Sequence, residues 1–411
     1  MNQYSIRRQK VANAMASNSV LVSFSGKLIN KSADSHYPFE VNRNFYYLTG
    51  VDEPEAVLLI IKQHNQIKET LFIRDIDPFM EKWNGKYMSI DQAKSISDVD
   101  QVVFLSGFSN TFQRLLTRSV VSNVYVDHER VSSEDRDSVA QNFAKEVSEK
   151  WLVNVSNAYP IIAALRAIKD EDEIEKMKKS IDITNEAFLR MLQHTKSNMY
   201  EYELQAEFEY VLKKHNAKPA FDMIVAASNR SCVLHYITND HLIEENSLIL
   251  TDMGASKDYY CADITRTFPS DGKYSKQQKE LMHVVLEAME LVIAAARPHV
   301  TLGQLNQIVI NHYQKRLVEL KYIKDKSEVG KVYYHGVSHF LGLDTHDVGQ
   351  LDQMPLQPNH VITVEPGLYI ESLNIGIRIE DDILITEEGC INLSEHIIKT
   401  PDEIEQYMLS R

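Results

Sequence analysis

Cysteine is sparse. Three occur in 411 residues, Cys232, Cys261 and Cys390, widely separated and with no CxxC pair. That rules out a disulfide framework and predicts a reducing, cytoplasmic setting. Fourteen glycines and eleven prolines are too few for a collagen-like or linker-rich chain. Every long patterned stretch carries charges, so none is predicted to cross a bilayer. Residues 1–18 lack the apolar core of a signal peptide and are expected to form an amphipathic helix. Positive charge is in deficit, 44 Lys and Arg against 58 Asp and Glu, a net −14 that argues against a broad nucleic-acid surface. With 44% apolar and 25% charged residues, the composition is that of a folded, soluble protein. At roughly 100–200 residues per domain, the length predicts two or three domains.

The first part of the chain alternates short apolar runs with helical patterns. Strands are predicted at 20–26, 56–62, 69–75, 101–107 and 123–128, with an amphipathic stretch at 109–120. Alternation of this kind predicts an α/β layer domain over residues 1–160. The boundary is placed within 156–168, where Pro160 interrupts the pattern. Residues 161–411 read differently. Long helical patterns at 170–195, 201–216, 275–297 and 301–320 are interleaved with strand patterns at 247–254, 258–268, 360–370 and 374–386. The first of these helices is acidic at its start, and Ser275 stands where it would cap the third. Helices outside hairpin-connected strands predict an α+β domain around an antiparallel sheet.

Acidic residues recur in the strand patterns. If the hairpin within 247–268 turns symmetrically near Lys257–Asp258, Asp252 faces Asp263. Directly opposed like charges destabilise a sheet, and a divalent cation between them would remove the repulsion. Two aspartates on a solvated face are the plainer alternative. Glu365 interrupts an apolar run just before Pro366–Gly367, and a carboxylate buried there needs a partner unless the strand end is frayed. In 374–386 the period of two puts Arg378 and Glu380 on one face, as part of a site or only as a surface ion pair. Asp381 and Asp382 fit solvated strand-end positions equally well. Histidine clusters too: His335, His339 and His346 fall within twelve positions of a chain that has fifteen in all. Their HxxxH spacing lacks the glutamate of HExxH, and Gly336 and Gly342 disfavour a helix, so a zincin helix is not expected. Three histidines in a glycine-punctuated stretch point instead to a site lining, with His235 a fourth candidate. Cys261 reads as a small buried apolar residue.

The ordered set Asp252, Asp263, His339, Glu365 and Glu380 resembles the ligand set of the pita-bread metallopeptidases, and the surrounding text matches as well: LHYITN, TDMGASKDYYCADITRTF, HGVSHFLGLDTHDVG, TVEPGLYI and GIRIEDD. This family includes methionine aminopeptidase, Xaa-Pro aminopeptidase, prolidase and the metal-free creatinase. Within it, SADSHYPFEVNRNFYYLTGVDEPEAVLLI and EKWNGKYMS resemble the N-terminal domain of the bacterial Xaa-Pro aminopeptidases. The resemblance covers nearly the whole chain, most strongly residues 32–60 and 230–386.

The resemblance implies a curved antiparallel pita-bread domain that holds two divalent metal ions. Asp252 would chelate one with both oxygens, Asp263 and Glu380 would bridge the pair, and His339 would bind the second. Glu365 would bind the site and take a proton from the bridging water. His235 and His346 match substrate-contacting histidines, and His335 and Arg378 match further active-site positions. Asp34, Trp83, Arg166 and Tyr369 match substrate-pocket or neighbouring-subunit positions. Phe221 departs from the pattern, since relatives often carry a tyrosine there whose hydroxyl contacts a ligand carboxylate or nearby group. An oxygen-rich set favours Mn²⁺, with Co²⁺ or Zn²⁺ as alternatives. The implied activity is release of the residue that precedes proline, with peptides carrying proline second as partners, no nucleic acid or membrane, and a homodimer or homotetramer as the assembly. The alternatives are a prolidase confined to Xaa-Pro dipeptides and a non-catalytic binding module, against which the intact ligand set and acidic charge argue.

Overall fold

A computed structural model describes residues 2–118, 121–129, 137–349 and 354–410. The chain forms two compact units, Met1–Arg166 and Ala167–Arg411.

In the first unit, apolar β-branched runs build strands as their composition predicts. These are β1 (Ser19–Phe24), a small exposed hairpin β2 (Asn30–Ser32) and β3 (Ser35–His36), then β4 (Val57–Gln63), β5 (Gln66–Ile73), β6 (Gln101–Phe104), β7 (Asn123–Val126) and β8 (Asn154–Asn157). Six of them form one mixed sheet in the order β6-β5-β4-β1-β7-β8. Helices Phe108–Thr117 and Val139–Lys150 cover it, burying Phe112, Leu116, Ala144 and Val147 against Val20, Val22, Leu59 and Val124. The first of these helices ends before residues 119–120 of the predicted stretch, which lie outside the described residues. The α/β layer expectation holds. Pro160, however, does not interrupt a pattern. It sits in the first turn of helix Tyr159–Ala167, where its missing N–H costs nothing.

The second unit packs helices Glu171–His194, Glu201–Lys214, Lys276–Ala295, Leu302–Glu319 and Pro401–Leu409 around antiparallel strands. Asp170 and Ser275 each cap a helix through a reciprocal capping box. The strands are β9 (Lys218–Pro219), β10 (Ile224–Ala227), β11 (Leu248–Met253), β12 (Ala255–Lys257), β13 (Tyr260–Cys261), β14 (Ile264–Pro269), β15 (Val361–Val364), β16 (Gly367–Ile370), β17 (Ile375–Arg378), β18 (Asp381–Ile385) and β19 (Cys390–Asn392).

Two expectations are corrected here. The hairpin turns at Asp258–Tyr259, one residue later than predicted, with both residues at positive φ (51° and 67°). Asp252 therefore pairs with Thr265 and not with Asp263. A turn with two positive-φ residues usually announces itself through Asn-Gly or Asp-Gly, and Asp-Tyr gives no such signal. Because the partner moves by two residues, the face is preserved, and Asp252 and Asp263 remain diagonal neighbours.

The second correction is that the two long strands predicted near the end of the chain are each broken. The stretch 360–370 splits into β15 and β16 at Glu365–Pro366, and 374–386 splits into β17 and β18 at Ile379–Glu380. Val364 pairs with Asp381 and Gly367 with Arg378, so the register runs through unshifted and the two breaks face each other. Pro366 cannot donate to a ladder, which accounts for the interruption.

Gly254 marks a third special point, because a Cβ there would lie 1.9 Å from the Ala262 carbonyl oxygen. Backbone cannot yield as a side-chain tip would. Gly254→Ala is expected to cost about 1–3 kcal/mol or more of folding stability. An unchanged urea midpoint would show that this close approach does not constrain the hairpin.

Candidate metal centre

A cavity of about 690 Å³ opens in the second unit, lined by Asp252, Asp263, His339, Glu365, Arg378 and Glu380 on its charged side. His235, His335, His346, Phe221, Leu234 and Ile237 also line it. Glu365 and Glu380 come from the two facing strand breaks, and Asp263 from the break between β13 and β14. A ladder interruption frees these residues from pairing geometry, so their carboxylates can converge.

Oxygens of Asp263 and Glu380 and a ring nitrogen of His339 all lie within 4.8 Å of one another. His339 Nε2 is 3.4 Å from Asp263 Oδ2, 3.6 Å from Glu365 Oε1 and 4.0 Å from Glu380 Oε1. Its Nδ1 lies 3.1 Å from the Phe340 carbonyl, and an Nδ1–H donated there leaves Nε2 as the lone-pair side facing the acids. Thr265 donates to Glu380 Oε2 at 2.7 Å. Arg378 Nη2 donates to Asp252 Oδ2 at 2.6 Å and its Nη1 to the Tyr369 hydroxyl at 3.0 Å. Arg378 is thus buried and paired with Asp252, and the alternative of a surface pair with Glu380 falls. Tyr369, 1% exposed, lies with its hydroxyl 2.8 Å from His335 Nε2. His335 Nδ1 meets the Gly336 carbonyl at 2.7 Å. Burial, followed by the charge of Arg378, pushes His335 down to about 4 and keeps it neutral. The His346 ring lies 4.2 Å from that of His339, and burial, then His339, then His235, lower its pKa.

Without a cation the acids cannot all ionise. Burial, then Asp252, Asp382 and Glu365, raise Asp263 well above the usual carboxylate range. Burial, then Asp263 and Glu365, do the same to Glu380, and burial chiefly pushes Glu365 up to about 6. Asp252 Oδ1 and Asp263 Oδ1 are buried with no hydrogen-bond partner among the described residues. Orphaned carboxylate oxygens beside a histidine nitrogen, under mutual repulsion, are a donor set that fits divalent metal. Phe221 lines the cavity beside Gly254 and brings no hydroxyl to its carboxylates.

Asp381 and Asp382 are 0% exposed, so the solvated alternative is wrong for both. Asp381 pairs with Arg266 at 2.7 Å and with Lys399. Asp382 Oδ2 accepts from the Asp263 backbone N–H at 3.2 Å. Thr265 and Arg266 escaped the sequence reading. Their signal was a polar Thr-Arg-Thr run inside an apolar strand. Lys169 and Asp347, a buried pair 2.8 Å apart beside His346, carried no signal at all across 178 residues. In the first unit, Asp34 lies in the exposed β2–β3 turn and Trp83 is 74% exposed, 6.4 Å from the Phe79 ring. Arg166 is 1% exposed and donates to Asn44 Oδ1 at 2.7 Å, while Asn44 donates to both Asp127 oxygens.

A centre of this kind on antiparallel strands defines a metal-dependent hydrolase. The sequence pattern of metallopeptidase family M24 matches residues 175–387, and that of the aminopeptidase P N-terminal domain matches residues 4–125. The chain belongs to family M24, in the branch that carries the aminopeptidase P N-terminal domain. It is 33% identical to the Xaa-Pro aminopeptidase of Escherichia coli, over 99% of this chain and 98% of the relative. A Bacillus anthracis structure, provisionally assigned as an aminopeptidase P, is 41% identical with a TM-score of 0.97, covering 99% of this chain and 98% of that one. Zinc-substituted E. coli aminopeptidase P in complex with product is 32% identical with a TM-score of 0.90, again over 99% and 98%. The pita-bread expectation for the second unit and the aminopeptidase P type of the first are borne out.

Asp263→Asn removes one carboxylate charge and leaves positive charge in excess around any bound metal. Elemental analysis of the purified variant is expected to show metal loss together with loss of peptidase activity. Full metal content with normal turnover would remove Asp263 from the ligand set.

Proposed function

We propose that the chain is an Xaa-Pro aminopeptidase that releases the first residue from peptides with proline second. The observation that carries the reading is the convergence of Asp263, His339 and Glu380 within 4.8 Å in a cavity that also holds Glu365, Asp252 and three wall histidines. Asp252, Asp263, His339, Glu365 and Glu380 would hold two divalent cations. Bound there, the cations would make water more acidic and polarise the scissile carbonyl. Glu365 takes the proton from the attacking water. His235 and His346 orient the peptide near the scissile bond, and His346 donates to the developing oxyanion. Arg378 and Tyr369 hold Asp252 and His335 in place. Proline's ring and missing N–H require a dedicated pocket, which the apolar wall of Phe221, Leu234 and Ile237 supplies.

Mn²⁺ is the proposed native metal, since four carboxylates and one imidazole favour a hard ion over a thiophilic one. A cytoplasmic setting is proposed from the sparse, odd and widely separated set of three cysteines. Among the described residues no helix is long and apolar enough to cross a membrane. A homodimer or homotetramer is proposed, with Trp83 and its exposed neighbours Phe79 (65%) and Ile76 (47%) as apolar surface to cover. Asp34, Trp83 and Arg166 keep their proposed roles at the substrate pocket or a neighbouring subunit. For Arg166, buried with Asn44, the role is indirect support of its surroundings.

His346→Ala is expected to keep its metal and to lose about 100-fold or more in turnover, the usual cost of one oxyanion donor. Metal loss as complete as in His339→Ala would mean the two histidines have been assigned the wrong way round.

A prolidase must grip the free carboxylate of proline, whereas an aminopeptidase leaves that side open. The connection between β16 and β17 is only the short turn Glu371–Leu373 with Asn374, too little chain to wall off the pocket. Xaa-Pro-Yaa tripeptides are therefore expected to release their first residue. Product chromatography that shows cleavage of the matching dipeptide alone would make the enzyme a prolidase.

A further inference from the structure

Glu201 opens helix Glu201–Lys214 and is 0% exposed. Its carboxylate collects donors from a single segment. Oε1 accepts from the Ala227 N–H and Arg230 Nε, each at 2.9 Å. Oε2 accepts from the Tyr236 hydroxyl at 2.7 Å and the His241 N–H at 3.2 Å. The Glu201 N–H in turn donates to the His241 carbonyl at 2.9 Å. Two of the four carboxylate donors precede His235 in the chain and two follow it.

Packing alone does not set the path of this segment. Leu234 and Tyr236 rest partly against a small apolar cluster, but Val233 is 56% exposed and Ile237 51%. Apart from the short 3₁₀ turn Ser228–Cys232, the segment lacks helix or strand. Asn239 ties its far end, accepting from the Val225 N–H at 2.9 Å and donating to the Met223 carbonyl at 2.8 Å. Glu201 takes bonds from both sides of His235, and Arg230, one of its donors, also reaches across to the Leu242 carbonyl at 3.1 Å.

We propose that Glu201 is a positioning residue that fixes the segment 227–241 so that His235 faces the substrate, and that its effect on turnover runs through His235. The proposal rests on the reading of His235 as a substrate contact. A fully buried carboxylate with four donors is a strong tether, because each bond is charge-assisted and its removal would leave Arg230 with only the exposed Glu244, 3.3 Å away, as a charged partner. None of the four donors belongs to the metal centre, so metal binding should not depend on Glu201.

A double-mutant cycle on the metal-loaded full chain tests this, with a Xaa-Pro-Yaa tripeptide as substrate. Glu201→Gln keeps the shape but replaces the Oε2 acceptor with a donor. It is expected to lower kcat/KM roughly 10- to 100-fold, the scale of a displaced catalytic contact, with metal content unchanged. In a His235→Ala background the same change should cost less than about twofold, because the group it positions is gone. Tyr236→Phe removes one of the four bonds and should show a smaller loss, also absent without His235. It carries the cycle by itself if Glu201→Gln does not fold. An equal fold-loss in both backgrounds overturns the proposal in favour of a general stabilising role, and so do metal loss or undiminished activity in either variant. Normal turnover in His235→Ala alone would overturn the reading of His235 first, and this inference with it.

Discussion

Mutual repulsion among buried carboxylates is the constraint on which the second unit turns. Asp252, Asp263, Glu365 and Glu380 line one cavity, and Asp263 and Glu380 are almost wholly buried. Asp252, Asp263 and Glu365 each raise the pKa of another acid in the set, so without cations Asp263, Glu365 and Glu380 resist ionisation. That is a costly arrangement for a protein to build without a ligand to relieve it. Arg378 offsets part of the charge but is committed to Asp252 and Tyr369. A divalent metal centre resolves the conflict, and it explains why the surrounding polar groups are arranged to hold carboxylates in place instead of neutralising them.

Holding them requires strands that stop and resume. A continuous ladder would send alternate side chains to opposite faces and space them at strand intervals. The break at Glu365–Pro366 lies opposite the break at Ile379–Glu380 without a change of register, so two glutamates turn toward the cavity from facing strands. Beneath them, Arg266 is fully buried and donates to the carbonyls of Thr265, Glu380, Ile397 and Ile398 and to Asp381. Carbonyls left unpaired by the interruption thereby find a donor, and Thr265 does the same for the Glu380 side chain.

Much of this was legible in the sequence, and the misses have physical causes. The layer classes followed from periodicity, because period two and period 3.6 differ over any long segment. Glu365 was conspicuous as a charge in an apolar run. Its partner Glu380 was placed on the correct strand, but both strands were read through breaks that only tertiary demand produces. The error at Asp258–Tyr259 arose because a positive-φ pair was built from residues that rarely signal one. For Asp381 and Asp382 the solvated alternative stays open in the sequence, because sequence shows a charge but not the Arg266, Lys399 or Asp263 backbone N–H that receives it. Glu201 was invisible for a different reason. An acidic residue in a first helical turn is what the helix dipole favours anyway, so a buried tether wore the appearance of an ordinary helix start.

The acids and the histidines are secured by different means. The four cavity carboxylates stand at or beside strand ends, in a framework of ladders and buried core. His235 and His346 stand on irregular segments, whose backbone has no ladder to restrain it. Such segments need tethers, and each has one: Glu201 for the stretch around His235, and the Lys169–Asp347 pair beside His346, both side chains 1% exposed. Breaking a buried pair of this kind typically costs about 3–5 kcal/mol, because one charge is left without its partner. A tether made of buried charge is either complete or badly broken. It therefore holds a loop in one arrangement more sharply than apolar contact, which yields by degrees. For side chains that line a cavity of about 690 Å³ and are proposed to meet a peptide there, that sharpness matters more than the small net stability such pairs bring.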